Sequence, residues 1–212
     1  MLTSTASSFV CALGSALACW AHVVLMPPPR LKAPDKTRYF GRLTFLTVQS
    51  NVLMTAYHVV RLVAPASALA VRCYPLAFAL GSGLSLLYYG LDHFVPAKQM
   101  EDKRWIAKGY TGMPVGMHLE HGLALPLAVL DAKFGGHAFE TSSGDVYLFV
   151  GGYTMLYLLM TLLNKRLTGL WLYPIFDEVE GVLGPAAFWV ICLPAVATYV
   201  GLGFLGQHLA GS

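Results

Sequence analysis

The chain has 212 residues, of which 56% are hydrophobic and 12% charged, with a formal net charge of +3 and a mean hydropathy of +0.59. A soluble domain carries about 25% charged residues, so half that figure, spread over several long apolar runs, describes a polytopic membrane protein and excludes an ordinary soluble globule. The small net charge gives no basis for a nucleic-acid partner.

A spanning helix needs roughly 20 mostly apolar residues. The first candidate, residues 7–26, ends at Pro27-Pro28-Pro29. It has no basic residue before Arg30, so it lacks the positive region of a cleavable signal and reads as a retained helix. The second candidate, 43–64, stops at Pro65; the third, 67–95, carries Pro75. The fourth, 115–132, is short and polar. The fifth covers 146–163 and the sixth 185–205. The expectation is an all-α bundle of about six transmembrane helices, organised as one integral membrane domain over 1–212. The cysteines Cys11, Cys19, Cys73 and Cys192 lie inside apolar runs at no zinc-site spacing and read as reduced small hydrophobes. Eleven of the 14 basic residues fall in the loops after the first, third and fifth candidates. The positive-inside rule places those loops in the cytosol, or in the matrix of a mitochondrion.

Polar residues inside the candidates recur at helical spacing. They are Cys11, Ser15, Cys19 and His22 in the first; Thr44, Thr47, Asn51, Thr55 and His58 in the second; Ser82, Ser85, Tyr89 and Asp92 in the third; and Thr154, Tyr157, Thr161 and Asn164 in the fifth. Each set forms one seam. Lipid cannot hydrogen-bond these groups, so the seams face inward, and Gly81, Gly83, Gly151 and Gly152 are expected to let helices approach closely.

The fourth candidate carries the chemistry. His118 and His121 stand three apart with Glu120 between them, and ionisable groups at membrane depth mark functional sites. Thr44, at the start of the second helix, is expected at a similar depth to His121. A histidine removed from water stays neutral and can act as a base, and a threonine hydroxyl needs such a base to become a nucleophile. A Thr44–His121 pair in an apolar cavity suits lipid-ester hydrolysis, with His118 orienting or donating and Asn51 as an oxyanion donor. Competing readings stand beside this one. Thr44 alone reads as a helix N-cap, and the histidines as interhelical hydrogen-bond partners. A metal on His-x-x-His would need Glu120, Asp92 or His93 as further ligands, and a haem between His58 and His121 has no supporting motif. Trp171 and Tyr173 read as interfacial anchors, and Asp177-Glu178-Val179-Glu180 as a solvated loop.

Three blocks carry a family resemblance: Arg42-Leu43-Thr44-Phe45-Leu46; His118-Leu119-Glu120-His121 with Pro126; and Thr168-Gly169-Leu170-Trp171-Leu172-Tyr173-Pro174. Tyr88-Tyr89-Gly90-Leu91-Asp92 adds a weaker one. Over residues 40–190 the chain resembles the androgen-induced-gene proteins and the androgen-dependent regulator of tissue-factor-pathway inhibitor. That resemblance implies a multi-pass membrane hydrolase of fatty acid esters of hydroxy fatty acids, without a metal or other cofactor. Its nucleophile falls on Thr44, its catalytic histidine on His121, and its first histidine on His118. The chain departs from the family pattern at Val115-Gly116-Met117, where the family has Trp-Leu-Asn, and in carrying Glu120. The departure supports a second expectation: a non-catalytic, lipid-binding accessory subunit of a larger membrane assembly. Expected partners are membrane lipids, a lipid ester or bound lipid, and other membrane subunits. The expected location is the endoplasmic reticulum or another endomembrane, with the mitochondrial inner membrane as alternative.

Overall fold

Apolar runs without internal hydrogen-bonding alternatives form helices when they leave water, because only the helix satisfies its own backbone. The computed structural model describes residues 4–26, 41–94, 96–136 and 141–211. It is 86% helical with no strand among the described residues. Its helices are α1 (Ser4–Val24), α2 (Leu46–Val63), α3 (Ala68–Leu87), α4 (Pro96–Ala107), α5 (Met113–Gly122), α6 (Ala124–Phe134), α7 (Ser143–Thr168), α8 (Pro174–Leu183) and α9 (Ala186–Gly211). A 3₁₀ turn, Gly41–Thr44, leads into α2, and a π turn, Tyr88–Asp92, extends α3.

Four helices, α1, α3 with its extension, α7 and α9, are long and apolar enough to cross a membrane. The other two expected spans differ for readable reasons. Helix α2 has 18 residues, and its seam of polar side chains dilutes its hydropathy. The fourth candidate divides into α5 and α6 at Leu123. Pro126 has no N–H to offer the Gly122 carbonyl, and its ring crowds that carbonyl. Ser85 of α3 covers the break: its hydroxyl donates to the His121 carbonyl and accepts from Leu125 N–H at 3.1 Å.

Helix α3 is the most buried of the four spans. It packs against α2, α6, α7 and α9, while α1 packs along α2 and against both halves of the broken helix. Two glycines make the centre possible. A Cβ on Gly81 would stand 2.8 Å from the Ala124 carbonyl oxygen, and one on Gly83 would stand 2.7 Å from the Tyr199 ring. Gly151 and Gly152, expected to do the same, meet nothing closer than a 3.9 Å contact to Val200 and open space respectively; Gly203 and Gly206 of α9 take that role, against Val146, Val150 and Phe78. Large apolar side chains such as Leu13, Leu156, Leu159 and Leu193 point outward, as they do when the surroundings are lipid.

The polar seams face inward. The Cys19 thiol meets the Thr55 hydroxyl at 3.4 Å. Asn51 Nδ2 donates to the Glu120 carbonyl at 3.1 Å, and Tyr57 O–H donates to Asp131 Oδ2 at 2.9 Å.

Candidate functional site

The inward seams leave a cavity of about 600 Å³, within the usual range for small-ligand sites. Its wall is apolar and aromatic. Leu46 and Thr47 come from α2; Leu84, Leu87 and Tyr88 from α3 and its π turn; His121 from α5; Tyr153, Thr154, Tyr157 and Leu158 from α7. Tyr173 and Phe176 close one side, and Ile191, Cys192, Ala195 and Tyr199 of α9 another.

His121 brings an imidazole into the cavity wall. It sits on the last turn of α5, just before the helix break, and is 8% exposed. Its Nδ1 lies 2.8 Å from the Met117 carbonyl oxygen. A carbonyl can only accept, so Nδ1 carries the proton and Nε2 of the neutral ring is an acceptor. The Thr47 hydroxyl lies 3.2 Å from Nε2 and donates to it. The Tyr88 ring stacks on the imidazole at 4.2 Å between centroids, with 18° between planes. The result is a histidine of fixed tautomer and fixed plane, with a threonine hydroxyl on its free nitrogen.

Thr44 lies one turn earlier. Its side chain is fully buried, and Oγ1 donates to the Gly41 carbonyl at 2.5 Å. It does not cap α2; Phe45 holds the cap position without a side-chain bond. Thr44 is outside the cavity lining, but its carbonyl accepts from the Tyr157 hydroxyl at 3.2 Å, which places it directly behind the wall. Tyr157 and Tyr173 hydroxyls meet at 2.7 Å, and Leu46 N–H donates to Tyr173 at 3.5 Å. The segment that enters α2 is thus tied to the segment that enters α8.

The remaining expected residues take different places. His118 is exposed and pairs with the Tyr89 hydroxyl at 2.8 Å, next to the His93 ring at 5.1 Å. The Tyr88–Tyr89 pair separates it from His121. Asn51 is engaged by the Glu120 carbonyl and is not in the lining. The Glu120 carboxylate turns away from His121 to His22 Nδ1 of α1, at 2.9 Å. The side chain of Asp92 lies outside the described residues.

The acidic stretch expected as a solvated loop forms part of α8. Glu180 Oε2 accepts from Trp171 Nε1–H at 2.8 Å and from Lys165 Nζ at 3.1 Å. These bonds hold its carboxyl below the ordinary glutamate range. Trp171 stacks on Phe176 at 4.9 Å, so it anchors α8 over the cavity. Burial pushes the Tyr173 phenol above its ordinary range. Tyr199 was missed in the sequence. Its hydroxyl is buried without a hydrogen-bond partner among the described residues, in a residue that lines the cavity; the spacing of α9 gives no sign of it, because the polar residues of that helix do not recur at helical spacing.

The model of the FAR-17a/AIG1-like protein family matches residues 8–207, nearly the whole chain. No curated protein and no solved structure matches.

Proposed function

The chain belongs to the FAR-17a/AIG1-like family, and from that premise we propose that it is an intramembrane hydrolase of lipid esters, of the fatty acid ester of hydroxy fatty acid class, with His121 as base and a threonine of the 44–47 turn as nucleophile. The observation that carries this reading is the Thr47–His121 bond at 3.2 Å inside an apolar cavity, with the imidazole proton held on Nδ1 by Met117. The threonine oxygen attacks the ester carbonyl while Nε2 takes its proton. The tetrahedral intermediate then collapses, and the imidazolium returns the proton to the departing alcohol. Water, activated by the same nitrogen, cleaves the acyl-threonine.

Two threonines compete for the attack. Thr44 has the motif's position; Thr47 has the contact with the base. Thr44 would reach Nε2 only by releasing Gly41 and rotating toward the cavity. Substitution separates them. His121→Ala is expected to lower lipid-ester hydrolysis by purified protein about 10²–10⁴-fold, and one of Thr44→Ala or Thr47→Ala should fall with it. Full activity in all three variants would end the proposal.

A second reading, a lipid-binding accessory subunit, is favoured by the Thr44 hydroxyl being committed to the Gly41 carbonyl. It expects a lipid that co-purifies and a larger assembly in mild detergent, with no turnover. Residence in an endomembrane, or alternatively the mitochondrial inner membrane, belongs to this proposal too; cell fractionation decides between them.

A further inference from the structure

At the other end of α2, three ligand-type side chains from three helices meet. Cys11 of α1, His58 of α2 and Asp131 of α6 each bring one ligating atom, all within 4.8 Å of one another. Their residues are 0%, 1% and 2% exposed. His58 lies eleven residues beyond Thr47, roughly 16 Å along the helix, and none of the three lines the hydrolytic cavity. We propose that this cluster is a structural site for a divalent transition metal of the zinc type, bracing α1, α2 and α6 together.

The donor set selects the metal. Thiolate, imidazole and carboxylate form a mixed set that suits zinc or cobalt and not the oxygen-seeking magnesium or calcium. The charges also fit the surroundings. Each lone charge is expensive away from water, and a thiolate with a carboxylate neutralises a dication. The geometry is close. Ligand atoms around a tetrahedral zinc stand roughly 3.3–3.8 Å apart, so atoms within 4.8 Å need side-chain adjustments of about 1 Å.

The surroundings support the ligands. Tyr57 O–H donates to Asp131 Oδ2 at 2.9 Å and orients the carboxylate. One turn beyond His58, the Arg61 guanidinium donates to the carbonyls of Pro65 at 2.6 Å and Gly135 at 2.9 Å. It is thereby held toward the helix ends. Binding exchanges the Cys11 thiol proton for the metal and releases it to solvent, with no change of oxidation state.

The test is a cobalt titration of the full chain, purified in mild detergent and stripped with a chelator. The expected result is a thiolate-to-cobalt charge-transfer band with the visible bands of a four-coordinate ion, a water completing the three protein ligands, saturating at a single equivalent and bleached by zinc. Cys11→Ser should lose the band and Cys73→Ser should keep it. In the wild-type chain warmed toward its unfolding transition, where the buried Cys11 becomes reachable, zinc should also slow its alkylation by a small reagent, as mapped by mass spectrometry; this second readout stands even if Cys11→Ser does not fold. A wild-type chain without the thiolate band, a band equally strong in Cys11→Ser, or alkylation of Cys11 unchanged by zinc would overturn the site.

Discussion

Tyr199 sets stability against function. A buried hydroxyl without a partner costs about 1–3 kcal/mol, and here it lies in the cavity wall. Tyr199→Phe should therefore raise the melting temperature in detergent while weakening ligand binding or turnover. A lower melting temperature with unchanged turnover would mean the hydroxyl serves packing alone. Ser85 makes the opposite case. It satisfies both sides of the helix break, at His121 and Leu125. Ser85→Ala leaves those backbone groups unpaired, with an expected loss of about 1–3 kcal/mol, read as a fall in melting temperature. Glu180 gives a pH dependence. The Trp171 and Lys165 hydrogen bonds hold its folded carboxyl below the ordinary glutamate range, so the Trp171 contact is present above that range and is lost as pH falls through the lowered folded value. Tryptophan emission should change on acidification, and Glu180→Gln should give the acid-type emission at neutral pH. The sequence singles out His121, and the structure sets it in the cavity wall beside Thr47. That contact is not legible in the sequence, because Thr44 and Thr47 share a seam and only the turn at Gly41–Thr44 decides which hydroxyl reaches the cavity.

Elements were legible to the extent that one physical signal governed them. Helices α1 and α9 followed from apolar length alone. The seams of α2, α3 and α7 followed from polar spacing, and the structure turns them inward. The break between α5 and α6 was not foreseen, although Pro126 stood in view, because a proline interrupts a membrane helix only where another group accepts the freed backbone. Ser85, forty residues away from Leu125 in the chain, is that group. The amphipathic α8 reads as a loop from sequence because its acids look solvated in isolation; the partners of Glu180, Trp171 and Lys165, come from the preceding segment. The tightest packing also gives a test. Gly81→Ala pushes a methyl group against the Ala124 backbone and should cost about 1–3 kcal/mol, seen as a lower melting temperature. Gly201→Ala, with nothing within 4 Å, should leave stability unchanged or slightly raised.

At the scale of the whole molecule, the bundle that packs around α3 leaves an apolar cavity with His121, of fixed tautomer, in its wall. The family match covers the same extent. The bilayer explains why apolar side chains such as Leu156 and Leu193 face outward and why the buried interior is rich in hydroxyls. Basic loops after the first, third and fifth expected spans lead to a common side for them, which single-cysteine labelling at Lys103 and Lys165 from each face of sealed membranes would test. One integral membrane domain is the accompanying proposal, and it expects a single cooperative unfolding transition. The central claim is that His121 activates a threonine of the 44–47 turn toward lipid esters. The most direct measurement is mass-spectrometric mapping of the adduct left by an ester-reactive acylating probe. The adduct is expected on Thr44 or Thr47 and is expected to be lost in His121→Ala. An adduct on another residue, or one that persists in His121→Ala, would contradict it.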